Sequence, residues 1–153
     1  MDAVLKQREE AVHEDGCKEV GAERRVRSGV GKRNKAIGAR GEDAAARFLY
    51  RRGYEILERN WECFAGEADI IAKDDDTVVF VEVKTRNGCD HGFPSEAVTA
   101  SKRHRYEKIA LAYLSECEEE DVPVRFDVVS IVVISSHKAM VRHQINAFSV
   151  TER

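Results

Sequence analysis

Apolar positions divide the chain into alternating helical and extended stretches. From Ala36 to Arg52, the residues Ile37, Ala45, Phe48 and Leu49 recur at helical spacing, and Gly53 follows as a stop, so the spacing predicts a helix. Tyr54–Trp61 reads as a first strand, and Ala68–Lys73 and Val78–Arg86 as two more around the turn-rich Asp74-Asp75-Asp76-Thr77. Residues 87–95, with glycines at 88 and 92 and Pro94, read as a loop. Tyr106, Ile109, Ala110, Tyr113, Leu114 and Cys117 then form one continuous stripe, the clearest helical signal in the chain, with Thr99 or Ser101 placed to cap it. The β-branched run Val124–Ile134 and the segment Met140–Phe148 predict two final strands. The resulting order, α-β-β-β-α-β-β, predicts an α/β fold with a mixed sheet flanked by helices. Residues 1–34 are mostly polar, with glycines at 16, 21, 29 and 31. They read as a flexible or weakly helical extension ahead of one domain over 35–150.

The central hairpin carries the chemistry. With Asp74–Thr77 as its turn, Lys73 pairs with Val78, Ile71 with Phe80, Asp69 with Glu82 and Glu67 with Lys84. Alternation then places Ile70, Ala72, Val79, Val81 and Val83 on one wholly apolar face. The other face begins with Ile71 and Phe80 and turns abruptly polar. Two carboxylates directly opposite one another repel, which no fold gains by, whereas a hard divalent cation reverses the sign of that interaction. Lys84, two residues from Glu82 on the same face, could orient a water or stabilise developing charge. Against this stands a plainer possibility, a cross-strand ion pair between Glu67 and Lys84. Glu42 shares its helix face with Ala45, Ala46 and Leu49, where a carboxylate needs a partner or a cation unless it sits at a wet rim.

Charge bears on partners. The formal net charge is −3, so a nucleic-acid surface must be a local basic patch; Lys102, Arg103, His104 and Arg105 at the start of the long helix supply one. The four cysteines are far apart with no CxxC pair, which argues against a zinc site and gives no disulfide framework. With no apolar leader and no run long enough to cross a bilayer, the expected location is the cytoplasm, away from membranes.

Several motifs in order resemble one family. These are Gly41-Glu42 with Ala45 and Leu49, Arg59-Asn60, Gly66-Glu67-Ala68-Asp69-Ile70-Ile71-Ala72, Val81-Glu82-Val83-Lys84-Thr85-Arg86, Ala97-Val98 with Lys102 and Arg105, and His143 with Asn146-Ala147-Phe148. Over roughly residues 36–148 the chain resembles the YraN family of uncharacterised bacterial proteins. That family is similar in turn to the PD-(D/E)xK nucleases and to archaeal Holliday-junction resolvases. The resemblance implies a restriction-endonuclease-like core and Mg²⁺-dependent phosphodiester cleavage, with Mn²⁺ as a substitute. Carried over by position, it implies Asp69, Glu82 and Glu42 as metal ligands with the Val83 carbonyl assisting, and Lys84 as the residue that positions water. Lys102, Arg105 and Arg86 are the implied substrate-binding residues. Two departures stand out: Ala68 replaces the proline of the superfamily pattern, and Glu62 stands where a basic residue is common.

The leading expectation is therefore a metal-dependent endonuclease acting on DNA in preference to RNA, with branched DNA among the candidate substrates. The alternative is a nucleic-acid- or protein-binding module on a nuclease fold that does not cleave. A homodimer matching a two-fold substrate follows by analogy with structure-selective nucleases. A scaffold role through Val124–Ile134 or Phe148 is weaker, since a buried central strand explains that run more simply.

Overall fold

The computed structural model describes residues 29–88, 98–118 and 121–149. The element order is α1 (Gly29–Arg51), β1 (Glu55–Cys63), β2 (Gly66–Asp74), β3 (Thr77–Asn87), α2 (Ala100–Glu116), β4 (Val124–Ser135) and β5 (Lys138–Phe148). This is the expected α-β-β-β-α-β-β order. The extension expected over residues 1–34 lies outside the described residues as far as residue 28, and the loop expected over 87–95 does so from residue 89 onward.

Five strands form one mixed sheet in the order β1-β2-β3-β4-β5. Only β3 and β4 run parallel, because α2 lies between them in sequence and carries the chain back across the sheet. The strand face bearing Ile71, Val78, Phe80, Phe126 and Val128 packs on Tyr106, Ile109, Ala110 and Tyr113 of α2. The opposite face, with Ile70, Ala72, Val79, Val81, Val129 and Ile131, packs on Ala45, Ala46 and Leu49 of α1. The two faces of the hairpin thus divide as alternation predicts. Val124–Ile134 belongs to an interior strand flanked on both sides, so its apolar character is accounted for by burial.

Helix ends follow local chemistry. At the end of α1, Gly53 adopts φ +89°, its N–H donates to the Tyr50 carbonyl and that of Tyr54 to the Leu49 carbonyl. This is a Schellman closure, with Leu49 and Tyr54 meeting in the core. Thr99 caps α2, accepting from the Lys102 N–H at 3.2 Å. The first helix starts at Gly29, ahead of the expected Ala36; residues 32–35 read Lys-Arg-Asn-Lys and offer no apolar period from which a helical turn is legible. Among the described residues no helix is long and apolar enough to cross a membrane.

Candidate functional site: an acidic fork between two strands

The predicted hairpin register holds from the turn inward: Asp74 pairs with Thr77, Lys73 with Val78, Ile71 with Phe80 and Ile70 with Val81. The ladder then stops. Beyond it β2 continues against β1 and β3 continues against β4, so a fork opens where the turn register predicts Asp69 and Glu82 as direct partners. At the mouth of the fork the Val83 N–H, which has no β2 carbonyl to meet, donates instead to Asp69 Oδ2 at 2.8 Å. Asp69 therefore serves as a side-chain cap on an interrupted ladder.

Electrostatics identify its neighbours. Burial and then repulsion from Glu82 push the Asp69 carboxyl up to about 7, with further contributions from Glu42 and Glu67; the Val83 N–H opposes them. Glu42 is also raised, chiefly by burial and further by Glu67, while the Asn60 amide opposes the shift. Asp69 thus feels three other carboxylates, from α1, β2 and β3, across the fork.

Each has a nearby donor. Glu82 receives the Tyr106 hydroxyl on one oxygen and pairs with the Lys102 ammonium through the other. Lys102 and Tyr106 lie one helical turn apart on α2, so one helix face delivers both. Burial and the Glu82 charge push the Tyr106 hydroxyl well above its ordinary range, which keeps it a donor at neutral pH. The exposed Asn60 amide lies 3.1 Å from Glu42 Oε2 and 3.0 Å from Glu67 Oε1; assigned with its nitrogen facing these two acceptors, the orientation their chemistry requires, it donates to both.

Glu42 reaches the fork because α1 lies very close to β3. A Cβ on Gly41 would sit 1.9 Å from Thr85 Oγ1, a spacing that only glycine permits. Glu42 lines a cleft of about 380 Å³ with Ile37, Gly38, Val83, Thr85, Arg86 and Asn87. Of the expected substrate contacts, Arg86 lines this cleft, Lys102 is committed to Glu82, and the Arg105 stem lies against Gly66 at the base of the β1–β2 turn. Lys84 is half-buried on β3 opposite Ser130. Glu67, the plainer candidate for its ion-pair partner, turns toward Asn60.

These oxygens are the hard donors a divalent cation takes, and the Asp69 carboxyl is raised first by burial and then by the carboxylates around it. Among the described residues no three such side chains stand together at coordination spacing. A cation would therefore have to draw Glu82 away from Lys102. The donor chemistry fits such an ion, and its binding would be an exchange of partners.

Sequence reading missed Tyr106 as a polar participant, taking it only as part of an apolar stripe; its position four residues after Lys102 was the available signal. It also missed a second polar network at the α1 face. Fully buried Asp127 accepts from Arg125 through both oxygens, from the Asn146 N–H at 2.9 Å, and meets His143 Nε2 at 2.7 Å. Burial alone would raise its carboxyl, but these bonds outweigh that and hold it below its ordinary range. Arg125 continues to Asp74 and the Tyr54 hydroxyl, tying β4 and β5 to the hairpin turn. This network spans the register shift between Phe126 and Val128 and reads as structural.

The profile described as "Uncharacterised protein family UPF0102" matches residues 41–131, a span that takes in Glu42, Asp69, Glu82, Lys84, Lys102 and Tyr106. The UPF0102 protein of Nocardia farcinica (strain IFM 10152) is 49% identical over 109 residues, covering 71% of this chain and 86% of the relative. The UPF0102 protein GSU0650 of Geobacter sulfurreducens is 46% identical over 117 residues, or 76% and 91% of the two chains. A UPF0102 protein of Dictyoglomus thermophilum is 46% identical over 116 residues, or 75% and 98%. Identity at this level over most of both chains, together with the profile match, places the protein in the UPF0102 (YraN) family.

Proposed function

We propose that this protein is a divalent-metal-dependent nuclease that hydrolyses phosphodiester bonds in DNA, with branched structures as candidate substrates. The observation that carries the reading is geometric: half-buried Asp69 meets the Val83 N–H at 2.8 Å where the β2–β3 ladder stops, with Glu82 on the facing strand and Glu42 reaching in from α1; burial and Glu82 raise its carboxyl accordingly. A cluster of carboxylates that opposes its own ionisation is costly to keep unless ionisation is put to use. Asp69, Glu82 and Glu42, with the Val83 carbonyl, would hold Mg²⁺ or Mn²⁺. When bound, the ion supplies charge neutralisation at the phosphate and makes a nearby water more acidic.

The chain's own residues have the remaining roles. Lys84, on the same strand face as Glu82, orients the water whose oxygen forms a new bond to phosphorus. The water gives up one proton to solvent as its oxygen bonds to phosphorus, the bond from phosphorus to the leaving oxygen breaks in line, and the leaving oxygen takes up a proton from solvent. Exposed Arg103, His104, Arg105 and Lys108 on α2 give a local basic surface beside the fork, which answers a net charge of −3. A symmetric dimer would present two such forks to a two-fold substrate.

The test is cleavage of labelled branched, single-stranded and duplex DNA with Mg²⁺ or Mn²⁺, comparing wild type with Asp69→Ala and Lys84→Ala. Metal-dependent products from wild type that both substitutions abolish are expected. Tight binding without cleavage across all substrates would sink the proposal. One observation favours that second reading, of a binding module on a nuclease fold: the Lys102 ammonium already holds the position on Glu82 that a cation would need.

A further inference from the structure

Asn60 is unusual in three respects that coincide. It lies within β1 yet has φ +50°, a left-handed backbone that Asn adopts more readily than most residues but that interrupts a strand. Its ladder neighbours are both paired, Arg59 with Ile70 and Trp61 with Ala68, so the kink falls at the position opposite Asp69. Its two amide hydrogens then span carboxylates from different elements, Glu42 of α1 and Glu67 of β2. A strand residue held out of extended geometry beside a charged cluster points to a role for what the kink achieves.

That achievement is geometric. Glu42 and Glu67 repel each other, and their repulsion would swing Glu42 outward from the fork. A neutral group with two donors draws both carboxylates inward without neutralising either, which no single backbone N–H or hydroxyl can do. Lysine or arginine could pair with both, but would add a charge competing with any cation.

We infer that Asn60 is a positioning residue: it clamps Glu42 to Glu67 and so fixes the Glu42 carboxylate beside Asp69 in the fork. Its bearing on metal rests on the nuclease reading above, since the cation that Glu42 would help to hold belongs to that reading. The clamp itself is a property of the metal-free chain. Partners that orient a ligating side chain typically contribute about 10–100-fold to metal affinity.

The experiment has two arms, both on the full chain. In the metal-free arm, melting at pH 8 in EDTA compares wild type, Asn60→Asp, and Asn60→Asp combined with Glu67→Gln. Aspartate tolerates the left-handed backbone and matches asparagine in size, but puts a third carboxylate between the other two. A fall in Tm of about 5 °C, largely recovered on adding Glu67→Gln, is expected. No recovery would overturn the clamp.

In the metal arm, Mn²⁺ titration followed by calorimetry compares wild type with Asn60→Gly, in which glycine accepts the positive φ and only the amide is lost. An unchanged fold by circular dichroism and Mn²⁺ affinity weakened about 10-fold or more are expected. Wild-type affinity in Asn60→Gly would overturn the positioning role. If wild type itself takes no Mn²⁺, the nuclease reading falls, while the metal-free arm still decides whether Asn60 holds the carboxylates.

Discussion

Replacing Asp69 by asparagine is expected to stabilise the metal-free protein, the reverse of what most buried substitutions do. The Asp69 carboxyl titrates at about 7 in the fold against an ordinary 3.8. Since the folded chain holds this proton more tightly than the unfolded one, its contribution is favourable below the unfolded value. That contribution declines as pH rises through the interval and is gone above the folded value. At about 1.4 kcal/mol per pH unit, the interval corresponds to a penalty of roughly 4 kcal/mol at pH 8. The amide of Asp69→Asn would carry no charge and would still offer an oxygen to the Val83 N–H, now 2.8 Å from Asp69 Oδ2. A neutral acceptor bonds less strongly than a carboxylate, which returns about 1 kcal/mol of the gain. A net stabilisation of about 1–3 kcal/mol follows, or a rise in Tm of roughly 3–10 °C for a domain of this size. The assay is thermal melting in EDTA at pH 4.5 and pH 8, then at pH 8 with Mg²⁺. The difference should shrink to about 1 kcal/mol or less at pH 4.5, the variant should melt higher at pH 8, and Mg²⁺ should raise only wild type. An Asp69→Asn protein that melts at or below wild type at pH 8 in EDTA refutes the claim that burial and the neighbouring carboxylates penalise a charged Asp69.

Four further outcomes are expected. Gly41→Ala forces a methyl into Thr85 Oγ1 at 1.9 Å and should cost about 1–3 kcal/mol by chemical denaturation, with partial rescue by Thr85→Gly. Lys102→Met removes the ammonium that competes for Glu82, so Mn²⁺ affinity by calorimetry should rise several-fold while KM for a DNA substrate worsens. Asp127→Ala leaves Arg125 and His143 without their buried partner and should cost about 3–5 kcal/mol. Because the Asp127 carboxyl is held below its ordinary range, its contribution in wild type is present at neutral pH and is lost as pH falls through that lowered value. Phe64, 86% exposed at the β1–β2 turn, should accept serine with a change in stability within about 0.5 kcal/mol.

The fold was legible because its signals are local. The stripe from Tyr106 to Cys117 and the alternation through Ile70–Ala72 and Val78–Val83 each report a buried face directly, and both faces are buried as expected. Hairpin register followed from the turn, since Asp74–Thr77 leaves only one pairing in which the apolar positions share a side. The end of the ladder was not legible. Whether two strands stay paired past Ile70 and Val81 depends on what else each strand pairs with, and that information lies in β1 and β4. The fork therefore had to be seen, and with it the reason Asp69 meets the Val83 N–H. The Glu82 partners were hidden for a similar cause: Tyr106 has an apolar ring and a polar tip, and periodicity registers only the ring.

Each acid of the fork is already partly compensated. Asp69 has a backbone N–H, Glu82 a hydroxyl and an ammonium, and Glu42 and Glu67 share one amide. Of these only Lys102 brings a full charge, and it arrives on a long, flexible stem from another element, the donor most easily displaced. Asp69 has a single neutral donor, the Val83 N–H, and burial and Glu82 push its carboxyl up to about 7 against it. The set is thus compensated enough to fold and too little to be indifferent to an added cation. The affinity for that cation would be a difference between coordination gained and the Lys102–Glu82 pair lost. It should strengthen as pH rises toward the Asp69 value and level off above it, because the proton on Asp69 must leave before its oxygen can coordinate. Calorimetric Mn²⁺ titrations between pH 5.5 and 8.5 would read that dependence directly, and affinity that does not change with pH would refute it.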